Sequence, residues 1–255
     1  MTERLTLMAV HAHPDDECMS TGGVLLRYAR EGLRTVLVTA TRGEEGEVVD
    51  PEMNPEEVKP KLGDVRTAEL ACACKHLEVE ELHILGYRDS GMIGWDTNNH
   101  PDCLAQAALH EATGRLVRLI REIRPHVITC YDEQGGYGHP DHIQVHRMTA
   151  AAFHAAGNAT QYPEIGPTPW QPQKLYYTAY PRSYIFTRYE IMRAMGPRCH
   201  LIARTSIRIR LGARLMSSSP PTSMWVVFYC TRWTLCARTL SQFCWRRQEK
   251  GLGLG

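Results

Sequence analysis

Leu5-Thr-Leu-Met-Ala-Val-His-Ala-His-Pro-Asp-Asp-Glu17 reads in two halves. The first, Leu5 to Val10, is an apolar run of strand length. The second, His11 to Glu17, packs two imidazoles and three carboxylates into seven residues. Ser20-Thr-Gly-Gly23 then opens a helix. Open α/β sheets bind ligands outside the carboxyl ends of their strands. The stretch therefore predicts both a strand-to-helix architecture and the place where its chemistry sits.

Working outward, the same alternation continues. Gly22 to Arg30 is a helix stopped by Gly32, and Arg34 to Thr41 (RTVLVTAT) is a strand apolar enough to be covered on both faces. Gly43 to Lys61 is a polar, acidic, Pro-bearing loop, of the length that in compact domains is commonly functional. Asp64 to Leu77 reads as a helix with Val65, Ala68, Leu70, Ala71 and Cys74 inward, and Leu82 to Leu85 as a short strand. Leu104 to Arg124 reads as a long amphipathic helix carrying Leu109, Leu116, Leu119, Ile120 and Ile123 on one side, ended by Pro125. His126 to Cys130 is the next strand, Tyr131 to Gly138 a Gly-rich loop, His139 to Ala156 a helix and Leu175 to Tyr180 a fifth strand. The pattern is that of a doubly wound, mostly parallel sheet with helices on both faces. No Gly-x-Gly-x-x-Gly follows the first strand, and carboxylates in that turn would repel a pyrophosphate, so a dinucleotide cradle is excluded.

A second cluster, Gly135-Gly-Tyr-Gly-His-Pro-Asp-His142, follows the fourth strand as the first follows strand one. In a parallel sheet both exits lie on the same edge. His13, Asp16 and His142 would make a three-ligand set that leaves one position of a catalytic zinc open. Asp15, His139 and Asp141 remain for acid–base work, a division that suits metal-assisted hydrolysis. Either His-Pro-Asp alone could be a turn with a helix-capping Asp; two of them at two strand exits argue for a site. His11 is read as supporting the site or packing, rather than ligating, and Glu17 as support. His146 is read as a solvated or capping residue, and the remaining histidines as structural or exposed. The His-x-His-x-Asp-His pattern of metallo-β-lactamase-type hydrolases is broken, because Asp16 stands where it needs His. No His-Glu-x-x-His occurs.

Ala12-His13-Pro14-Asp15-Asp16-Glu17 with His139-Pro140-Asp141-His142, joined by Gly86-Tyr-Arg-Asp-Ser-Gly-Met92 and Tyr131 to His142, resembles the LmbE-like (PIG-L) family of zinc-dependent de-N-acetylases. The likeness runs over about residues 5 to 182 and is nearest to the mycothiol-pathway deacetylases of N-acetylglucosaminyl-inositol. It implies a Rossmann-like fold and hydrolysis of a linear amide on a small-molecule amino-sugar. It implies His13, Asp16 and His142 as ligands of Zn2+, with Fe2+ as the alternative metal, and Asp15 as general base. His139 would support the tetrahedral intermediate or protonate the amine, with Asp141 orienting it. Tyr137 would polarise the acetyl carbonyl, and Arg66 and Asp89 would contact the sugar or inositol. A mycothiol-conjugate-type amidase stays open beside the deacetylase. A non-catalytic sugar or nucleic-acid binder is the distant third reading.

Composition bounds the rest. The chain has 255 residues, 43% hydrophobic and 22% charged, with a net charge of +1. Neither a signal peptide nor a membrane span is read, and the cytoplasm is expected. Nine cysteines at irregular spacing read as reduced thiols. The near-zero charge hides two unlike parts. Residues 191–255 hold ten Arg, one Lys and one Glu, leaving 18 basic and 27 acidic residues before them. We therefore divide the chain into a catalytic domain, 1–190, and an Arg-rich region, 191–255. That region reads as a basic arm, a divergent subdomain, or residues from a shifted frame; its lack of any period favours the last. Nucleic acid is not an expected partner, and a homo-oligomer stays open.

Overall fold

Val36, Leu37, Val38, Thr39 and Ala40 are all fully buried, which only a strand covered on both faces allows. They lie in β2 (Arg34–Thr41), next to β1 (Thr6–His11), in a computed structural model that describes residues 4–50, 52–166, 168–179 and, as backbone alone, 224–227. The other described strands are β3 (Glu81–Tyr87), β4 (Val127–Tyr131), β5 (Lys174–Ala179) and β6 (Met224–Val227). The sheet order is β3-β2-β1-β4-β5-β6, and every pairing is parallel. The expected doubly wound α/β fold is therefore present. Helices α1 (Gly22–Arg30), α2 (Pro55–Val58), α3 (Leu62–His76), α4 (Leu109–Ile123), α5 (Gly135–Gly138) and α6 (Pro140–Ala155) make the connections.

Alternation along β1 builds the two halves of the core. Leu7 and Ala9 pack with Leu25 of α1 and Leu70 and Cys74 of α3. Met8 and Val10 point the other way, into Leu116 and Ile120 of α4 and Val145 and Met148 of α6. The strand order reverses between β1 and β4, which pair Leu7 with Val127 and Ala9 with Thr129. The crevice beyond such a switch point is where doubly wound folds bind ligands, and both His-Pro-Asp clusters leave their strands there.

Some local expectations change. α4 starts at Leu109, not Leu104: Leu104–Gln106 is a separate 3-10 turn, and Ala107 and Ala108 are extended. The Ala105 N–H is tied to Ser90 Oγ at 2.9 Å, a tertiary bond that holds this segment out of the helix. Leu109 is consequently exposed. On α3, Ala71 faces solvent while Cys72 and Ala73 are buried. The acidic loop contains α2, capped by the Asn54 side chain on Glu56 N–H. Cys18, Cys74, Cys103 and Cys130 are free thiols. Among the described residues no helix is long and apolar enough to cross a membrane. The division expected at residue 190 lies outside the described residues, as do both flanks of β6.

Candidate metal centre

The β1 exit turns sharply. Asp15 has φ +108°, a region that Asp, Asn and His enter more readily than other side chains. Its N–H donates to Glu17 Oε2 at 3.0 Å, and its carboxylate pairs with Arg66 Nη2 at 3.0 Å. Arg66 also donates to the carbonyls of Pro14 and Gly43. The turn brings Asp16 back over the strand end, where its Oδ2 accepts the His13 N–H at 2.9 Å. A single π-turn, Glu17–Thr21, then leads into α1.

From β4, the chain passes through α5, where Gly135 and Gly136 both have positive φ. α6 starts at Pro140 with His139 as its cap: His139 Nδ1 accepts the Asp141 N–H at 3.2 Å. One turn into α6, His142 points back at His13.

Three ligand-type atoms converge. His13 Nδ1 and His142 Nε2 are 3.2 Å apart, and Asp16 Oδ2 is 3.4 Å from each. A tetrahedral ion with bonds of about 2.0–2.1 Å holds its ligand atoms about 3.3–3.4 Å apart, so the triangle has the size of one face of such a site. The outer ring nitrogens are assigned the protons, because each faces an acceptor. His13 Nε2 faces Asp141 Oδ2 at 3.0 Å, and His142 Nδ1 faces the Gly135 carbonyl at 3.2 Å. With donors assigned that way, two imidazole lone pairs and a carboxylate oxygen point at one spot, an arrangement that needs a cation. His139, and the set Asp89, His139 and Asp141, also lie within ligand reach of His13. His139 Nδ1 is engaged by Asp141, however, and both carboxylates take the outer face of His13. Asp16 is left to complete the triangle.

Burial and charge tune these groups in opposite senses. Burial opposes charge on His13, but Asp141, Asp16 and Asp89 outweigh it and raise its pKa well above the usual value. Asp16 is held well below the carboxylate range: burial works against its charge, and His142 and His13 overcome it. Burial drops His139 to about 3 and His11 to about 4, so both rings are neutral. Burial raises Glu17 to about 7, with the nearby Asp15 charge acting in the same direction.

The sequence-expected residues are thus gathered at one switch point, with three changes of detail. The Asp141 carboxylate is turned to His13 and Ser90, not to His139; only its backbone N–H reaches that ring. Arg66 lies against Asp15, positioning it. Asp89 is buried, accepts the Gly91 and Glu45 N–H groups, and stands 3.5 Å from His13 Nε2. Tyr137 is half exposed above His142 and His139, with ring centroids at 4.9 and 6.0 Å. His11 is fully buried against Thr21 and the edge of Tyr131. His146 reaches the Tyr131 carbonyl. Sequence reasoning missed Ser90 and Tyr131. Tyr131 ends β4, whose neighbour β1 carries the first cluster, whereas Ser90 follows β3, two strands away from β1. The signal common to both is that they lie inside the segments Gly86 to Met92 and Tyr131 to His142 that carry the family resemblance.

The profile of the PIG-L family, described as GlcNAc-PI de-N-acetylase, matches residues 8–153, from the middle of β1 through α6. The chain belongs to this family. A Thermobifida fusca protein named 1D-myo-inositol 2-acetamido-2-deoxy-alpha-D-glucopyranoside deacetylase is 49% identical over 185 residues, covering 70% of this chain and 63% of the relative. A Thermobispora bispora protein of the same name is 47% identical over 199 residues, with 76% and 65% covered. The chain thus spans just under two thirds of the length of these relatives. Among solved structures, a conserved protein from Thermus thermophilus matches with TM-score 0.50 and 28% identity, over 67% of this chain and 64% of the other. The N,N'-diacetylchitobiose deacetylase of Pyrococcus horikoshii shares the fold at TM-score 0.54 and 19% identity, over 67% and 58%. Family membership places both His-Pro-Asp clusters inside the matched region.

Proposed function

We propose that this chain is a zinc-dependent de-N-acetylase that hydrolyses the acetamide of an N-acetylglucosaminyl-inositol-type substrate to acetate and a free amine. The observation that carries the reading is the triangle of His13 Nδ1, Asp16 Oδ2 and His142 Nε2, with an acid–base residue, Asp15, next to one of its corners. The names of the PIG-L relatives supply the substrate class.

In this reading His13, Asp16 and His142 hold the zinc, which when bound acts as a Lewis acid and makes water nucleophilic near neutral pH. Asp15, fixed by Arg66 and by its own strained turn, takes the proton from the attacking water. The water oxygen bonds to the carbonyl carbon. His139 is neutral and its Nδ1 is already an acceptor, so its Nε2–H is the donor available to the developing oxyanion. Tyr137, on the exposed side, offers its hydroxyl to the same oxygen. The C–N bond then breaks, and the amine leaves with the proton returned from Asp15. Arg66, against Asp15, and Asp89, beside His13, are the charged groups assigned to the sugar or inositol in this reading.

The test is acetate release from N-acetylglucosaminyl-inositol by the purified full chain supplied with zinc, alongside amine release from a mycothiol-type thiol conjugate. Equal yields of acetate and primary amine from the first substrate support the proposal. Turnover of the conjugate alone would replace it with an amidase.

A further inference from the structure

Tyr131 and Ser90 are both buried, and neither is part of the ligand triangle. The Tyr131 hydroxyl donates to Asp16 Oδ2 at 2.7 Å and accepts the Ala12 N–H at 2.8 Å. Its ring stacks on His142, centroids 4.1 Å apart and planes 16° from parallel. One side chain at the end of β4 therefore touches two of the three ligands and the backbone at the end of β1. Ser90 acts on the third. Its N–H donates to Asp141 Oδ2 at 3.0 Å, its hydroxyl donates to Asp141 Oδ1, and Asp141 Oδ2 accepts from His13 Nε2 at 3.0 Å.

We propose that Tyr131 and Ser90 are the positioning residues of the cation centre, two buried hydroxyls that hold Asp16 and the Asp141–His13 pair in the ligating arrangement. A carboxylate without fixed donors turns freely, and an imidazole without an acceptor on its outer nitrogen loses both its orientation and its tautomer. Tyr131 fixes the first and seats His142; Ser90 fixes the second by immobilising Asp141. The inference rests on the ligand set proposed above, not on the substrate.

The test is a Zn2+ titration of the full chain, stripped by chelation, against a competing chromophoric chelator. Co2+ absorption serves as a second reading, because it follows ligand geometry rather than fold stability. Tyr131→Phe keeps the ring and its stack; Ser90→Ala removes only the hydroxyl. Each should weaken Zn2+ binding about 10- to 100-fold and shift the Co2+ bands. Ile128→Val, a core change on β4 itself, should move neither reading. Zn2+ binding within threefold of the parent in both single variants would overturn the inference, and if one variant fails to fold, the other decides alone. A parent chain that binds no Zn2+ would instead sink the ligand set itself.

Discussion

His13 Nδ1 and His142 Nε2 face each other at 3.2 Å, each with its ring proton directed to the opposite side, toward Asp141 and the Gly135 carbonyl. Two lone pairs at that distance repel unless something positive lies between them. Asp16 Oδ2, 3.4 Å from both, adds a third acceptor. The geometry of the centre is thus set up for a cation before any cation arrives.

With no cation in the centre, the carboxylates around His13 raise its pKa well above the usual value, so that a proton stands in the cation's place. If the proposed zinc binds there, it must expel that proton. We expect about one proton released per zinc near pH 7, with affinity rising as pH rises toward the raised pKa. Calorimetric titration in two buffers of different ionisation enthalpy measures this. The sign for stability follows: in the chelated protein the His13 contribution is full below its unfolded pKa of about 6.5 and is lost as pH rises through the folded value. Absence of proton release would contradict the assignment.

Asp15→Asn tests the base. Asn tolerates the φ of +108° found there as Asp does, and its side-chain oxygen still reaches Arg66. We expect a 10²- to 10⁴-fold fall in turnover, roughly the worth of a general base, with Zn2+ affinity near that of the parent. Near-normal acetate release with zinc bound would remove Asp15 from the mechanism.

Gly135→Ala tests the seat of His142. Gly135 has φ +62°, and an added Cβ would stand 2.7 Å from His142 Cβ and 2.9 Å from Ile143 N. We expect a stability loss of about 1–3 kcal/mol and at least tenfold weaker zinc binding, of the order seen when metal-site support is lost. Gly138→Ala is the comparison: Gly138 also has positive φ, but the space around it is open. It should share the strain and spare the zinc affinity. Equal zinc losses in the two would point to general loosening of the loop.

Glu17 tests buried charge beside the site. Its carboxylate is fully buried, with a pKa raised to about 7 by burial and by Asp15. A folded pKa above the unfolded one gives a contribution that is full below about pH 4.5 and lost as pH climbs through about 7, a loss of about 3 kcal/mol. Glu17→Gln keeps an acceptor for the Asp15 N–H and removes the titration. Urea midpoints of parent and variant, measured in chelator from pH 4.5 to 8, should diverge across that window in favour of the variant. Parallel curves would show that Glu17 does not ionise in the folded protein.

The sheet was legible in the sequence because parallel strands buried on both faces read as runs that are nearly all apolar or β-branched, as Val36 to Ala40 do. The two clusters were legible because each sits directly after such a run. Leu104 to Gln106 misled, because its apolar residues keep a helical period while a bond from Ala105 to Ser90 holds the backbone elsewhere. Asp141 misled for a similar reason: its sequence neighbour is His139, but its side chain is held by Ser90, 51 residues away.

By itself, then, the sequence determined the strand-and-helix alternation, the chemistry available and the two places along the chain where it is concentrated. These depend on side-chain type and local period. The tertiary structure decided which oxygen and which ring nitrogens face the cation, and that Tyr131 and Ser90 hold them there. Those choices depend on contacts such as Tyr131 with Asp16, 115 residues apart, made only once β1 and β4 pair and bring their exits together.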